Sequence, residues 1–313
     1  MFQLGLLIDD TWLSSDNYEH CVDNVRDTTT LFDKVGFSIH PEKSVLIPSQ
    51  TIVFLGLVLN SVRMQVSLTT EKAGHLQQSC QDLLANPCPS IRDVARVIGM
   101  LTASFPGVMY GPLRHRWLDM DKTEALKIQK GNFDKALSLS SESIADLNWW
   151  CKSISTAYNP ISHGAPQLTM TTDASLIGWG CSLQEATAGG NWTPDEAKNH
   201  INYLEMFAVF LALKSFTEQI SEKHVKVLID NTTAVACINQ MGTCHSKLNN
   251  IIVYQIWEWC ISRNVWITAA YIPGKENVTA DRESRISRRE TEWSLNRSIF
   301  TAAIKKIGIT TNN

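Results

Sequence analysis

The apolar positions of this chain follow two different periods, and the pattern changes near residue 160. In the first half, LGLLIDDTW (residues 4–12) is an apolar run cut by two adjacent aspartates, Asp9 and Asp10, and then resumed. By itself this reads as strand, turn, strand, because aspartate is a common turn residue. Residues 17–35 carry Leu31, Phe32 and Val35 on one stripe and run into Gly36, which predicts a helix with a glycine cap. SVLIPS, TIVFLGLVLN and RMQVSL are short β-rich runs separated by turn residues, a small antiparallel meander. Helices are predicted over 70–85, 90–104 and 141–154, with NPCPS as punctuation between the first two.

AYNPISHGAPQ (157–167), with two prolines and a glycine, is the expected linker. Beyond it, QLTMTTDAS, GWGCSLQ and GGNWT read as three strands, and NYLEMFAVFLALKSF as a strongly apolar helix. KHVKVLIDN alternates Val225, Val227 and Ile229 on one face, as a strand does. TTAVACINQMG predicts a helix closed by Gly242. SKLNNIIVYQIWEWCISR predicts another, with Leu248, Ile252, Ile256 and Trp259 at helical spacing, and VWITAAYIPG is the last strand. Three strands, then helix, strand, two helices and a strand, predict an α/β domain: a mixed sheet flanked by helices.

Composition narrows this picture. A chain of 313 residues, 44% hydrophobic and 19% charged, has material for two packed domains. A net charge of −3 excludes a surface coated in basic residues, but not a nucleic-acid enzyme whose metal ions supply positive charge. The eight cysteines form no C-x-x-C pair and no H-E-x-x-H occurs, so a structural zinc site is not expected. Scattered cysteines fit reduced thiols in an intracellular protein of cytoplasm or nucleus. No apolar run approaches the roughly 18 residues of a membrane span, so no membrane partner is expected. MFQLGLL lacks the basic start of a signal peptide. With so little before Asp9, the chain is expected to start inside a domain.

Four acids of the second half stand at informative places. Asp173 follows the first strand in TTDAS, and Asp230 closes a parallel-type strand in VLIDN. Sites in open α/β sheets gather at the carboxyl ends of strands, so these two are placed to converge. Glu205 shares a helix face with Ala208, Val209 and Ala212, where a carboxylate is costly unless paired, metal-bound or at an exposed first turn. Asp281, in NVTADRESR, reads as a fourth member of the group and also as the N-cap of a last helix, and both can hold at once.

On these residues, 168–290 resembles a type 1 ribonuclease H domain. TDAS, YLEMFAVFLAL, LIDNTTAVACIN and YIPGKENVTADRESR are most similar to the domain of retroelement polyproteins of the DIRS or gypsy type. The resemblance implies hydrolysis of the RNA strand of RNA–DNA hybrids by Asp173, Glu205, Asp230 and Asp281. These would hold two Mg²⁺ ions about 4 Å apart, with Mn²⁺ as a substitute. It also implies that Asp173 bridges both ions, that Glu205 and Asp230 complete one site, and that Asp281 completes the other. Contacts to ribose 2′-OH groups would select RNA on the cut strand.

Two departures stand out. The loop PGKENVT carries no histidine, leaving Tyr271 and Lys275 as its nearest polar groups. Glu283 stands where relatives usually carry leucine in A-D-x-L-S-R, which suggests relaxed constraint.

With that resemblance in place, LIDD is similar to the aspartate pair of reverse transcriptases, with Leu7 in the usual tyrosine position. Phe54, Leu55 and Gly56 match the family's primer-positioning segment. The implied organisation is a palm remnant over 1–66, thumb-like helices and connection over 67–157, linker 158–167, ribonuclease H-like domain 168–290 and extension 291–313. Asp9 and Asp10 would then be a vestigial polymerase metal site, lacking an upstream third carboxylate. Polymerisation by this chain alone is not expected, and a missing polymerase portion or a second copy would complete it.

A different class of reading is a catalytically inactive nucleic-acid- or partner-binding remnant. A third is an integrase or transposase nuclease, which usually takes its last carboxylate from a late helical glutamate. The RHR cluster at 114–116 and Arg282, Arg285, Arg288 and Arg289 are read as solvated surface, and Cys244-His245 as structural. The tryptophans are read as mostly core, with Trp179 and Trp192 placed to line a groove.

Overall fold

The computed structural model describes residues 3–7 and 10–286. The chain divides into two compact units, Met1–His163 and Gly164–Asn313.

The first unit opens with β1 (Gln3–Leu7) and β2 (Asp10–Ser14), an antiparallel pair in which Leu7 faces Asp10. Helix α1 (Tyr18–Val35) follows. The Asn17 side chain accepts from the His20 N–H at its start, and Gly36, at φ +86°, ends it as predicted. Strands β3 (Thr51–Phe54), β4 (Leu57–Asn60) and β5 (Gln65–Leu68) form the antiparallel meander.

Helices α2 (Thr70–Ala85), α3 (Ile91–Thr102), α4 (Arg116–Ile128) and α5 (Ser141–Ser153) then build a helical core. Leu76, Cys80, Ile91, Val97, Leu101, Leu118, Leu147 and Trp150 fill it. Each is removed from water almost entirely, and burial of this kind is worth about 1.5–3 kcal/mol per large side chain.

Several expectations change here. SVLIPS forms no strand; Val45 and Ile47 are exposed, and Pro48 offers no N–H to a ladder. The fourth strand comes instead from the start of the expected linker, where β6 (Tyr158–Pro160) pairs with β5. Helix α4 has no counterpart among the predicted helices, because only Trp117 and Leu118 are buried and no apolar stripe runs its length. The RHR cluster before it is not solvated surface. His115 is buried against Phe105, and the Arg114 side chain is 13% exposed, 3.6 Å from the buried Asp146 carboxylate.

In the second unit, β7 (Leu168–Ala174), β8 (Gly178–Leu183) and β9 (Ala186–Asn191) are antiparallel neighbours. Helix α6 (Ile201–Ser215) and the short α7 (Thr217–Ile220) lead to β10 (His224–Ile229), which is parallel to β7. Helices α8 (Thr232–Asn239) and α9 (Lys247–Ile261) lead to β11 (Trp266–Tyr271), parallel to β10, and α10 (Val278–Arg285) follows. The sheet order is β11-β10-β7-β8-β9, the ribonuclease H-like mixed sheet flanked by helices.

Val225, Val227 and Ile229 are the buried face of β10, as their alternation predicts. In α9 the buried stripe is Ile252, Val253, Ile256, Trp257 and Cys260; Leu248 is exposed, and Trp259 carries the Arg263 guanidinium over its ring. Among the described residues, no helix is long and apolar enough to cross a membrane.

Candidate metal centre

Strands β7 and β10 are adjacent and parallel, with Thr171 opposite Leu228. Their carboxyl ends therefore lie on one edge. Asp173 is the penultimate residue of β7, and Asp230 follows the last residue of β10. Glu205 comes to them from the second turn of α6, whose face of Leu204, Ala208, Val209 and Ala212 is buried. One carboxylate oxygen from each of Asp173, Glu205 and Asp230 lies within 4.8 Å of the others. Among the described residues this is the only such group of three.

The electrostatics follow from that crowding. Asp173 and Glu205 are each only 4% exposed. Burial, then the charges of Asp230 and Asp173, push the Glu205 carboxyl up to about 9, against a partial offset from the Ala174 backbone N–H. Burial also raises Asp173 and Asp230 above the usual carboxylate range. Asp173 Oδ2 and Glu205 Oε2 are buried and meet no hydrogen-bond donor among the described residues. Buried carboxylate oxygens without a donor are costly, and the cost rises further when they ionise. A hard divalent cation fits this donor set, since Mg²⁺ favours carboxylate oxygen.

Asp281 does not join the group of three. Helix α10 begins at Val278 with Asn277 as its cap residue, so Asp281 is not the N-cap; it lies within the first turn, half-buried. The Arg285 Nε and Nη2 both reach Asp281 Oδ1, at 2.8 and 2.6 Å. The Asp281 charge still acts on Asp173 and Asp230 and raises both, while Arg285 opposes it.

Several positioning residues carry no motif of their own. The buried Asn277 donates to the Thr172 carbonyl at 2.9 Å and ties the start of α10 to β7, one residue before Asp173. The Ser175 hydroxyl donates to the Ser284 carbonyl at 2.7 Å and accepts from the Gly178 N–H at 3.1 Å. The Ser284 hydroxyl lies 2.9 Å from the Asp281 carbonyl and also reaches the Asp173 carboxylate, and its single proton serves one or the other. Only the approach of α10 to β8 across Gly178 and Gly180 hints at these contacts in the sequence.

The histidine-free loop runs close beside the acids. A Cβ on Gly274 would lie 3.1 Å from Asp230 Oδ2, so backbone occupies that flank, while Tyr271 and Lys275 are exposed. Glu283 lies on the buried face of α10, 3.4 Å from Arg282. Trp192 does not line a groove. It is buried, stacks on Phe207 with centroids 5.6 Å apart, and donates its Nε1–H to the Ser175 carbonyl at 2.9 Å. Trp179 is half-buried over Gly190. Arg288 and Arg289 lie outside the described residues.

In the first unit, Asp10 is exposed at the start of β2, and Asp9 lies outside the described residues. Phe54 ends β3 and pairs with Leu57, so Leu55 and Gly56 form a two-residue turn with φ of +53° and +72°. The Lys72 side chain packs beside it, with Cδ 3.2 Å from where a Gly56 Cβ would stand.

No known family's sequence profile matches the chain, and no curated protein matches it in sequence. Among solved structures it is similar to the foamy viral protease-reverse transcriptase in complex with RNA/DNA hybrid, at 12% identity and a TM-score of 0.43. That match covers 94% of this chain and 38% of the viral one. A form of the same viral enzyme in complex with double-stranded DNA matches at 13% identity and a TM-score of 0.41, over 86% of this chain and 46% of that one. Ribonuclease H1 from the archaeon Halobacterium salinarum matches at 15% identity and a TM-score of 0.32, over 37% of this chain and 92% of its own. The chain thus spans less than half the length of these two viral chains.

Proposed function

We propose that the second unit is a divalent-metal ribonuclease that hydrolyses the RNA strand of RNA–DNA hybrids. The observation that carries this reading is the convergence of Asp173, Glu205 and Asp230 within 4.8 Å, with Asp173 Oδ2 and Glu205 Oε2 buried and undonated. Asp173, Glu205 and Asp230 would hold one Mg²⁺, and Asp281 with Asp173 a second, Mn²⁺ substituting for either. Bound there, the cations supply positive charge to a phosphodiester that gains negative charge as it is broken.

The chain's own residues do the rest. The edges of β7 and β10 hold two carboxylates on rigid strands, which keeps the site's geometry independent of loop motion. The buried flank formed by α6 keeps water from screening the acids. On the open side, half-buried Asp230 and Asp281 face solvent, where a nucleic-acid backbone gains access. Lys275, exposed in the loop beside Asp230, offers a cation for a phosphate next to the cut. The Phe54-Leu55-Gly56 turn and the aspartate pair at 9–10 are read as polymerase-derived, in a retroelement reverse transcriptase of DIRS or gypsy type.

The test is a hybrid duplex labelled on its RNA strand. Wild type is expected to cut it only with Mg²⁺ or Mn²⁺, and Asp173→Asn to abolish cutting while the fold is retained. Equal inertness of the two proteins on the hybrid would leave only a nucleic-acid-binding role.

A further inference from the structure

Among the described residues, Asp281 alone of the four acids is already engaged by a cation of the protein itself. Arg285 stands four residues on along α10, so the two side chains share a helix face, and its Nε and Nη2 close on the single oxygen Oδ1. The guanidinium is not a local partner only. Its charge reaches Asp173 and Asp230 and relieves the repulsion between them. Both members of the pair are open to water, Arg285 at 64% and Asp281 at 40% of the side chain. Exposed pairs of this kind are weakly held and open readily.

We propose that Arg285 is a positioning residue that holds Asp281 in reserve. The three-carboxylate group takes one divalent cation with the Arg285 fork closed, and a second cation is held only when the fork opens. This rests on the reading of Asp173, Glu205 and Asp230 as a metal site.

The reason is charge. Arg285 and a divalent cation compete for the same carboxylate, and a guanidinium left within a few ångströms of a second cation repels it. The fork therefore makes the two cations unequal, although the acids that hold them are of one kind. Once displaced, the guanidinium is a two-pronged donor of the geometry that phosphate oxygens accept, and it remains beside the acids. In this way substrate and second cation help each other: each favours the open fork that the other needs.

Calorimetric titration of the full chain with Mn²⁺, with bound ions counted by electron paramagnetic resonance, tests this without any measurement of activity. Wild type is expected to bind in two unequal stages. Arg285→Ala is expected to tighten the second stage about tenfold and the first by less, because the lost charge lies nearest Asp281. Arg285→Lys keeps the charge without the fork and is expected to fall between them, which also guards against a folding defect in the alanine variant. A second stage that is unchanged in Arg285→Ala, with the first still present and lost in Asp173→Asn, overturns the role of Arg285 alone. A wild-type chain that binds no Mn²⁺ overturns the metal reading itself, and Arg285's role with it.

Discussion

Gly180 of β8 lies so close under α10 that a Cβ on it would fall 2.3 Å from the carbonyl oxygen of Ala280. The same atom would lie 2.5 Å from the Ser284 backbone nitrogen. These are backbone atoms of the helix that carries Asp281 and Arg285, and they cannot swing aside. Gly180→Ala is therefore expected to lift α10 from the sheet and cost about 1–3 kcal/mol, as overpacking does. It is also expected to weaken cation binding at Asp281 more than at Asp173. Gly74→Ala provides the contrast, since nothing lies within 4 Å of its Cβ and it sits inside α2. That change should stabilise the first unit by about 0.5–1 kcal/mol. Chemical denaturation of both variants, with Mg²⁺ titration of the first, checks the pair.

Glu205 sets a pH dependence of the opposite sign to the usual carboxylate case. Its folded carboxyl is pushed from an ordinary 4.5 up to about 9, so over that interval the folded protein holds a proton that the unfolded chain has lost. Stability from this group is complete below the unfolded value and is lost as pH rises through the folded one. The metal-free protein is expected to melt at lower temperature as pH rises across this interval, and Mg²⁺ to restore most at the alkaline end. Glu205→Gln removes the ionisable carboxyl, so the unfolded chain no longer gains by losing its proton. It should raise metal-free stability by about 1–2 kcal/mol while abolishing the Mg²⁺ response, as changes at strained functional sites do. Thermal melts with and without Mg²⁺ measure both effects. A destabilised Glu205→Gln would show that the carboxylate serves packing, not a cation.

Much of this site was legible because strand ends and helix faces obey simple periods. Alternation of Val225, Val227 and Ile229 placed Asp230 at a strand end, and the apolar face around Glu205 placed a carboxylate on the buried side of α6. The α2 span and the Gly36 cap were equally readable, since each rests on local residues. What could not be read depends on contacts distant in sequence. His115 and Arg114 look like surface until Phe105 and Asp146 cover them. Tyr158–Pro160 has the composition of a linker and becomes a strand only because β5 offers an edge. The Asp281–Arg285 fork spans four residues and was within reach of helical spacing. The N-cap alternative obscured it, because a cap residue would not have presented its side chain to that face.

His115 makes the first unit sensitive to acid. Its ring is buried against Phe105, and its Nδ1 lies 2.9 Å from the Pro112 carbonyl. Burial, reinforced by the Arg116 charge, lowers its pKa from an ordinary 6.5 to about 4. Between those values the unfolded chain binds a proton that the folded one does not, so stability falls as pH drops through the window. The full effect is roughly 3 kcal/mol, from a shift of that size at 1.36 kcal/mol per unit. Urea denaturation at a series of pH values is expected to show this loss in wild type. In His115→Phe, which retains a ring against Phe105, the slope should flatten. An unchanged slope would place the acid sensitivity elsewhere.

The turn at Leu55 holds a leucine in a conformation that favours glycine. Leu55 and Gly56 both have positive φ, at +53° and +72°, as a tight hairpin between Phe54 and Leu57 requires. Glycine takes this conformation freely, whereas leucine does so at a cost, and asparagine suits the first position well. Leu55 gains little burial in return, since it is 44% exposed. Leu55→Asn is therefore expected to stabilise the first unit by about 0.5–1 kcal/mol. If the exposed leucine is kept for contact with a nucleic-acid strand, the same variant should bind a primer–template duplex more weakly despite its greater stability. Denaturation and a fluorescence-anisotropy titration, run on one preparation, separate the two effects. A variant that is more stable and binds equally well would reduce Leu55 to a poor turn residue and remove the primer-positioning reading from Phe54, Leu55 and Gly56.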